Sequence, residues 1–515
     1  MKCDAPGDLS GQYQIHDFTD DTLAEALGVF TGADQIRERP HYTYFKQYLG
    51  SEGLDAKTIV VEKKYISRAY ITDYSKYYAT CFTDYPRHCD RVHFFNKQFT
   101  EEQFFKELLD SNSDFLSSGY LGCIVVKPIP DSVIGPTLLV TRSKTSSEDS
   151  LLPQYPVTQK YPVNLFGRDL EVKTLPFQEQ DNAVSACTSV ALWSAFHQTS
   201  QLFKTQLPSP SEISERAGNQ FMSSGRIYPN DGMDISQIGQ AIDSLGLVSE
   251  LRVSTLFHAD TSYATRLIYA YLKAGIPIIL LTKPEKTSDR GHAVTIVGYA
   301  TPKVQQERDI TPVPEITLIA DRIKDFFVHD DQVGPFAPIK FHDGTSLARS
   351  RFNNEGNLYV EQAWIHAIII PVYPKIRIKF EDVFLTVQGI DDLLFKLNFF
   401  QYELEWDIYL TESNQFKSEI LKSASDQEVK KQKLFTGYPK YIWIARAQVK
   451  GNFIFDLIFD STDSPNGFYC IDFFLHDPAA KKVMLELVED ASEFFIAYLG
   501  KDAFNRIKEE LTLSK

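Results

Sequence analysis

The segment QDNAVSACTSVALWSAF (180–196) places a cysteine, Cys187, at the start of an apolar stretch. Ala, Leu and Trp dominate the residues around it, and Ser or Asn lies just upstream as a candidate N-cap, so the segment predicts a helix. A cysteine in this setting has two interpretations. It could be an ordinary buried thiol, or it could be a nucleophile, which would need partner residues elsewhere in the chain.

The elements that follow this helix predict a domain in which helices precede strands. Helical patterns continue in three segments, which are 207–218, 232–247 and 265–275. Strand patterns, rich in β-branched and aromatic residues, come next in IPIILLT (276–282), HAVTIVGYA (292–300), ITLIADR (316–322) and DFFVHDD (325–331). Helices followed by strands indicate an α+β domain, which we place at residues 151–375.

The region before this domain, residues 1–150, is predicted to be an aromatic-rich α+β domain. It contains a helix with a Thr start and an acidic first turn in FTEEQFFKELLDS (99–111). A buried strand ends at prolines in LGCIVVKPIP (121–130). The polar segment TRSKTSSEDSLLPQYP (141–156) predicts a boundary loop or linker.

The region after the central domain, residues 376–515, is predicted to be a β-rich domain that ends in a helix. It begins with the strand-like segment IRIKFEDVFLTVQG (376–389) and contains ASDQEVKKQK (424–433), which reads as a charged loop or helix end. Three domains are consistent with a chain of 515 residues, which is too long for one ordinary core.

Composition excludes several classes of partner. Hydrophobic residues make up 43% of the chain and charged residues 23%, which is typical of a globular protein. The net charge of -15 argues against nucleic acid or an anionic membrane as a partner, because both bind concentrated positive charge. The N-terminal residues have no signal-peptide pattern and no stretch has the length of a membrane span, so the sequence predicts a cytoplasmic protein.

The cysteines predict neither a disulfide framework nor a metal site. There are 6 in the chain, and Cys81 and Cys89 lie near His88 and His93 without the spacing of a zinc site. Glycine-rich nucleotide-binding motifs are absent, so use of ATP or NAD is not indicated. We therefore predict no cofactor and no metal.

A nucleophilic cysteine needs three kinds of partner. A histidine stabilises the thiolate and later protonates the leaving group. A third group orients the imidazole, and a side-chain amide upstream of the cysteine can donate to the developing oxyanion. The sequence contains these residue types in the order Gln180, Cys187, His292 and Asp330.

Two segments of the chain resemble a known family. HAVTIVGY (292–299) resembles the histidine strand of papain-like cysteine peptidases. QDNAVSACTSVALWSAF is similar to the glutamine and cysteine helix of the bacterial branch related to bacteriocin-leader (double-glycine) peptidases. The resemblance covers roughly residues 175–345. It implies a papain-like fold for the central domain.

The resemblance also implies roles for the four residues. Cys187 would be the nucleophile, His292 the general base and acid, Asp330 the orienting residue and Gln180 the oxyanion donor. Two alternatives stay open, since Gln178 could replace Gln180 and Asp331 could replace Asp330. The sequence departs from the family at Thr188, where a glycine is usual, and in the spacing between Gln180 and Cys187.

Three functions fit these residues. The first is an intracellular cysteine peptidase that hydrolyses peptide or isopeptide bonds of a protein substrate. The second is a papain-fold acyltransferase or transglutaminase-type enzyme, in which an amine replaces water. The third is a decayed peptidase scaffold that acts as an interaction protein. The sequence identifies neither the substrate nor the oligomeric state.

Overall fold

A computed structural model gives the fold of the chain. It describes residues 11–142, 151–181, 183, 186–218, 232–254, 262–288, 291–303, 315–342, 346–352, 358–397, 404–423, 425–463 and 467–513. The chain divides into two compact units, of which the first comprises Met1–Ala259, Pro277–Thr301 and Lys324–Pro371. The second comprises Asp260–Ile276, Pro302–Ile323 and Val372–Lys515. None of the described helices combines the length and the apolar character that crossing a membrane would require.

The N-terminal part of the first unit is a sheet with helices. Its strands form an antiparallel sheet in chain order, namely β1 (Tyr13–Asp17), β2 (Thr58–Tyr65), β3 (Cys89–Phe95), β4 (Tyr120–Val126) and β5 (Ile134–Leu139). The helices are α1 (Asp20–Leu27), α2 (Ala33–Arg37), α3 (Pro40–Leu49), α4 (Arg68–Lys76), α5 (Glu101–Leu109) and α6 (Phe115–Ser118). The predicted helix at 99–111 is confirmed as α5, which Thr100 caps reciprocally with Gln103.

The predicted linker at 141–156 is partly wrong. Residues 143–150 lie outside the described residues, but Leu151–Gln154 form a strand, β6, which pairs with a later strand of the central sheet. The next two strands, β7 (Gln159–Leu165) and β8 (Arg168–Thr174), form a hairpin. Leu151 is buried, so this segment contributes to the core and does not merely connect two domains.

From Cys187 onward the chain forms helices before the main strands, as predicted, although β6, β7 and β8 precede these helices within the region predicted as the central domain. The helices are α7 (Cys187–Phe203), α8 (Pro210–Ala217) and α9 (Ile235–Asp243), and they are followed by the strand β9 (Val248–Val253). The helix α10 (Tyr263–Leu272), which the sequence places in the same domain, belongs to the second compact unit.

A closed barrel of antiparallel strands follows these helices. It is built from β10 (Ile278–Lys283), β11 (His292–Pro302), β13 (Asp325–Asp330), β14 (Gly334–Phe341), β15 (Ser346–Phe352) and β16 (Leu358–Val372). Each strand pairs with the next, and β10 also pairs with β16, which closes the circle. The α+β class is confirmed, whereas the papain-like arrangement stays a prediction.

Helix α7 packs against the barrel strands that carry the other candidate residues. The hydroxyl of Thr295, on β11, donates to the backbone carbonyl of Ala191, on α7, at 2.7 Å. Both groups are buried, and a buried bond of this kind fixes the position of one element on the other. The histidine strand therefore lies directly against the cysteine helix.

The second unit has one sheet and several helices. Its strands are β12 (Thr317–Leu318), β17 (Glu405–Glu412), β18 (Tyr441–Val449), β19 (Asn452–Asp460) and β20 (Cys470–Leu475), in that order across the sheet. Besides α10, its helices are α11 (Phe380–Lys396), α12 (Ser413–Lys422), α13 (Gln427–Phe435), α14 (Lys481–Asp490), α15 (Ser492–Leu499) and α16 (Lys501–Leu513). The predicted final helix is confirmed by α16.

The description of residues 376–515 as β-rich is wrong, because helices form much of this region. The segment at 376–389, predicted to be strand, contains the start of α11, and Phe380, Val383 and Val387 are buried on it at helical spacing. The charged segment at 424–433 is mostly the helix α13, with Asp426 as its N-cap. Aromatic and β-branched residues suggested a strand at 376–389, but the spacing of its buried positions is that of a helix.

Candidate active site

The cysteine of the predicted site is the first residue of a helix. Cys187 begins α7 and is half-buried, and the N-cap residue is Ala186, which provides no side-chain hydrogen bond. The predicted Asn or Ser cap falls on Asn182 and Ser185, which lie outside the described residues. The first amides of a helix have no partner within the helix, and its dipole favours negative charge at this end. A thiolate at Cys187 would be stabilised by both effects.

The histidine of the predicted site lies at the start of β11 and is buried. Its Nε2 donates to Oδ1 of Asp330 at 2.8 Å. Its other ring nitrogen, Nδ1, is buried and makes no hydrogen bond of good geometry within the described chain. The thiol of Cys187 is close enough to His292 to raise the pKa of the ring. The structure thus brings Cys187, His292 and Asp330 together.

Asp330 rather than Asp331 is the closer carboxylate. Oδ1 of Asp331 lies 3.7 Å from Nε2 of His292, against 2.8 Å for Asp330. Both aspartates are buried, and β13 ends at Asp330 with an irregularity in its pairing to β14. An irregular strand end relaxes the alternation that would send neighbouring side chains to opposite faces. Both carboxylates can therefore approach the same imidazole.

The three groups change one another's ionisation. Burial favours the neutral form of His292, but the negative charges of Asp330 and Asp331 favour the imidazolium more strongly. The pKa of the imidazole therefore lies well above its ordinary value. Burial also opposes ionisation of Asp330, and here His292 and Arg351 outweigh it and hold the pKa of that carboxyl well below its usual range. Burial raises the pKa of Asp331 to about 6. The pair of His292 and Asp330 is therefore an imidazolium and a carboxylate at neutral pH.

Sequence reasoning missed an arginine that holds Asp330. Nη1 of Arg351, on β15, donates to Oδ2 of Asp330 at 2.9 Å, and Nε of the same residue donates to Glu361 at 3.0 Å. Arg349, two residues earlier, also bonds Glu361, at 2.5 Å. The alternation of arginines in ARSRF (348–352) places both on one face of the strand, which was the available signal.

Helix α3 also reaches the site. Nε2 of His41 donates to the backbone carbonyl of Asp331 at 2.7 Å, and Nδ1 of His41 lies 3.5 Å from Oε1 of Glu179. His41 lies in the N-terminal region and is separated from Asp331 by 290 positions. No local sequence pattern could have linked these two residues.

The two candidate oxyanion donors lie upstream of α7. Gln180 is half-buried and lines a cleft of about 280 Å³ together with Arg39, Glu179 and Asp331. Its backbone carbonyl accepts a bond from the hydroxyl of Ser132 at 2.6 Å. Gln178 is buried. The role of either amide as oxyanion donor stays a prediction.

His329, the neighbour of Asp330, has a structural role. Its Nε2 donates to the carbonyl of Leu175 at 3.0 Å, and its Nδ1 accepts from the amide of Phe336 at 3.2 Å. Burial lowers its pKa to about 3, so the ring is neutral. Both nitrogens are thus occupied in the core, away from His292.

A metal ion is the other occupant that the geometry would allow. Ligand atoms of His292, Asp330 and Asp331 lie within 4.8 Å of one another. However, both oxygens of Asp330 already accept bonds, one from His292 and one from Arg351. Nε2 of His292 cannot both donate to Asp330 and bind an ion, and the guanidinium of Arg351 already balances the charge of that carboxylate. We therefore assign no metal to these residues.

A separate cavity of about 770 Å³ lies in the N-terminal region. Its lining includes Asp17, Asp20, Lys46 and Arg142 but none of the predicted site residues. Size alone would make it a candidate binding site. It contains no paired nucleophile and base, and we do not connect it with the chemistry of Cys187.

Comparison with known proteins finds no protein-family model and no curated protein that matches the chain. The resemblance to papain-like peptidases rests on the segments quoted above.

Proposed function

We propose that the protein is a cysteine peptidase that hydrolyses peptide or isopeptide bonds of a protein substrate through an acyl-enzyme on Cys187. One observation carries the proposal. His292 is held by Asp330 through Nε2, while Nδ1 is left without a good hydrogen bond and the thiol of Cys187 lies close to the ring. An imidazole that is fixed on one side and open on the other is what a thiol nucleophile requires.

The charges of the site support this chemistry. Imidazolium at His292 and the amino-terminal end of α7 both favour a thiolate at Cys187. The charge of the imidazolium is in turn balanced by Asp330, whose other oxygen is bonded to Arg351. The imidazolium of His292 therefore lies within a network of alternating charges, in which Asp330, Arg351 and Glu361 each have an opposite neighbour.

The reaction follows from these positions. The thiolate attacks the carbonyl carbon of the scissile bond, and the imidazolium gives its proton to the leaving amine as the bond to nitrogen breaks. Neutral His292 then takes a proton from water, which attacks the acyl-enzyme and releases the acid. Throughout, Asp330 keeps the imidazole oriented and does not take the proton itself.

The first experiment measures alkylation of Cys187 by iodoacetamide and needs no knowledge of the substrate. Labelling of the folded protein is mapped by mass spectrometry at several pH values, in the wild type and in His292→Ala. We expect Cys187 to react at pH 6 in the wild type and to react far more slowly at that pH in His292→Ala. Equal rates in the two proteins would contradict the proposal and favour a decayed scaffold.

The second experiment tests hydrolysis and identifies the acceptor. The wild type and Cys187→Ser are incubated with a peptide library, with and without an added amine. Cleavage products that depend on Cys187 support a peptidase. Amine-linked products in place of acids would instead indicate an acyltransferase.

A further inference from the structure

Two adjacent aspartates compete for one imidazole in the candidate site. Asp330 and Asp331 both have a carboxylate oxygen within 3.7 Å of Nε2 of His292. An orienting residue must hold the ring in a single position, and two equivalent carboxylates would allow two. Something in the site must therefore distinguish Asp330 from Asp331.

The surroundings of the two carboxylates differ. Oδ2 of Asp330 accepts from the guanidinium of Arg351, whereas both oxygens of Asp331 are buried without a hydrogen bond from the described residues. Desolvation destabilises the ionised form of a buried carboxylate that has no hydrogen-bond donors. A guanidinium beside the carboxylate offsets this effect. The ionised form is thus favoured at Asp330 and disfavoured at Asp331.

The guanidinium is itself held in place. Arg351 is buried and donates to Glu361, which lies on the neighbouring strand β16. The register of β15 and β16 places Arg349 opposite Glu361 and Arg351 opposite Tyr359. Because the barrel is closed, neither strand is a free edge that could shift. Arg351 therefore presents its Nη1 to Asp330 from a fixed position.

We propose that Arg351 is a positioning residue that selects Asp330 over Asp331 as the partner of His292 and keeps Asp330 ionised. The proposal rests on the function proposed above, in which His292 must be an oriented imidazolium. Arg351 acts through Asp330 and does not touch the thiol or the substrate carbonyl.

The pH dependence of the site also involves other groups. The charged and titratable side chains that face the two aspartates and the imidazole are Cys187 on α7, His41 and Tyr44 on α3, Arg349 and Arg351 on β15, and Glu361 on β16. Only Arg351 among them has a hydrogen bond to Asp330 besides the one from His292. Its removal should therefore have the largest effect on the ionisation of Asp330.

The test compares two matched variants, Arg351→Gln and Arg349→Gln. Both remove a buried arginine of β15 that bonds Glu361, but only the first removes the bond to Asp330. The measurement is a pH profile, which is the rate of Cys187 alkylation by iodoacetamide between pH 4 and pH 9. The acid limb of this profile is the range in which the rate falls as the pH is lowered. If Arg351 only stabilised the fold, its replacement would change the amount of folded protein but not the pH at which Cys187 loses its reactivity towards iodoacetamide.

We expect the acid limb of the profile to move up by about one to two pH units in Arg351→Gln, because Asp331 can then replace Asp330 as the partner of His292 and, with a pKa of about 6, protonates within the measured range. Arg349→Gln should move it by a much smaller amount. Arg351→Lys should give an intermediate shift of about half a pH unit. An ammonium group restores the positive charge, but it cannot bond Asp330 and Glu361 in the fixed geometry of a guanidinium.

Three outcomes would overturn the inference: an acid limb in Arg351→Gln that coincides with the wild type, an equal shift in Arg349→Gln, or an Arg351→Lys limb displaced as far as that of Arg351→Gln. If circular dichroism shows that Arg351→Gln does not fold, Arg351→Lys carries the test, and an unchanged profile there overturns it. Failure of the proposed function is distinguishable, because the wild-type and His292→Ala profiles would then coincide.

Discussion

Two cysteine–histidine pairs can be compared within the described residues of the first unit, and one of the two has the features of a reactive site. Cys123 and His93 are directly opposite each other on β4 and β3 of the N-terminal sheet. Cys187 and His292 lie on α7 and β11. The residue types are the same, and in both places a carboxylate lies near the imidazole. The differences between the two pairs must therefore come from their surroundings.

In the N-terminal sheet, burial determines the ionisation of His93 and Cys123. Burial lowers the pKa of His93 to about 4 and raises the pKa of the Cys123 thiol, so both groups are neutral at pH 7. Nδ1 of His93 is bonded to the hydroxyl of Tyr120 at 2.8 Å, and the carboxylate of Glu62 lies 3.5 Å from Nε2 and is shared with Arg91. Both ring nitrogens of His93 thus have a polar partner, and neither group of this pair is charged at pH 7.

At Cys187 and His292, the charges of two carboxylates affect the pKa of the imidazole more strongly than burial does. Two carboxylates face Nε2 of His292, one of them at 2.8 Å, and no hydroxyl takes the place of Tyr120 at Nδ1 in the part of the chain that the structure describes. The comparison shows that a cysteine next to a histidine is not sufficient for an ion pair. The number and distance of carboxylates and an open ring nitrogen distinguish the two pairs.

The largest expected difference between the two pairs is in turnover. We expect Cys187→Ala to lower the rate on a peptide substrate by roughly 10⁴-fold or more, because no other group can form the acyl-enzyme. Cys123→Ala, the matched control, should keep wild-type turnover per folded molecule. Similar losses in the two variants would remove the distinction between the pairs.

The next largest effect is expected for the histidines. His292→Ala should slow alkylation of Cys187 at pH 6 by about 100-fold, since the thiolate loses its imidazolium partner. His93→Ala should leave that rate unchanged and lower the thermal stability instead, because it empties a buried position that bonds Tyr120. The two readouts are alkylation and thermal unfolding, and an effect of His93→Ala on alkylation would contradict the comparison.

The smallest expected effect concerns Asp331 and depends on pH. Its pKa in the folded protein is raised to about 6, above the value near 4 of an unfolded chain. Its contribution to stability is therefore fully present below about pH 4 and is lost as the pH rises through 6. Asp331→Asn should thus be more stable than the wild type by about 3 kcal/mol at pH 8, and this gain should disappear at pH 4. Urea unfolding at the two pH values measures it, and a gain that is independent of pH would show that charge is not its cause.

The elements that carry the site were predictable from local patterns. The helix at Cys187 and the strands at His292 and Asp330 follow from composition and periodicity, and the order of these residues predicted the contact between His292 and Asp330. The N-cap was not predicted correctly, because the described cap is Ala186. Local sequence thus identified residues that meet in the candidate site but not the details of their surroundings.

The parts that were missed depend on distant contacts. Closure of the barrel by β10 and β16 cannot be read from either strand alone. Arg351 and His41 are recognisable only after the chain has folded, because each reaches the aspartates from another element. The helix α11 was mistaken for strand because its apolar residues have high strand propensity, and packing overrides propensity there.

The bond from His41 to the carbonyl of Asp331 has a consequence for the order in which the protein is made. The two residues are separated by 290 positions, and ribosomes add about 5–20 residues per second. His41 therefore leaves the ribosome roughly 15 to 60 s before the residue that it bonds. In the second half of that interval, from residue 187 to residue 330, the nascent chain carries Cys187 but has no Asp330 to orient His292. Under the proposed function, a newly made chain should consequently be unable to attack its neighbours through Cys187 until the barrel strands have been synthesised.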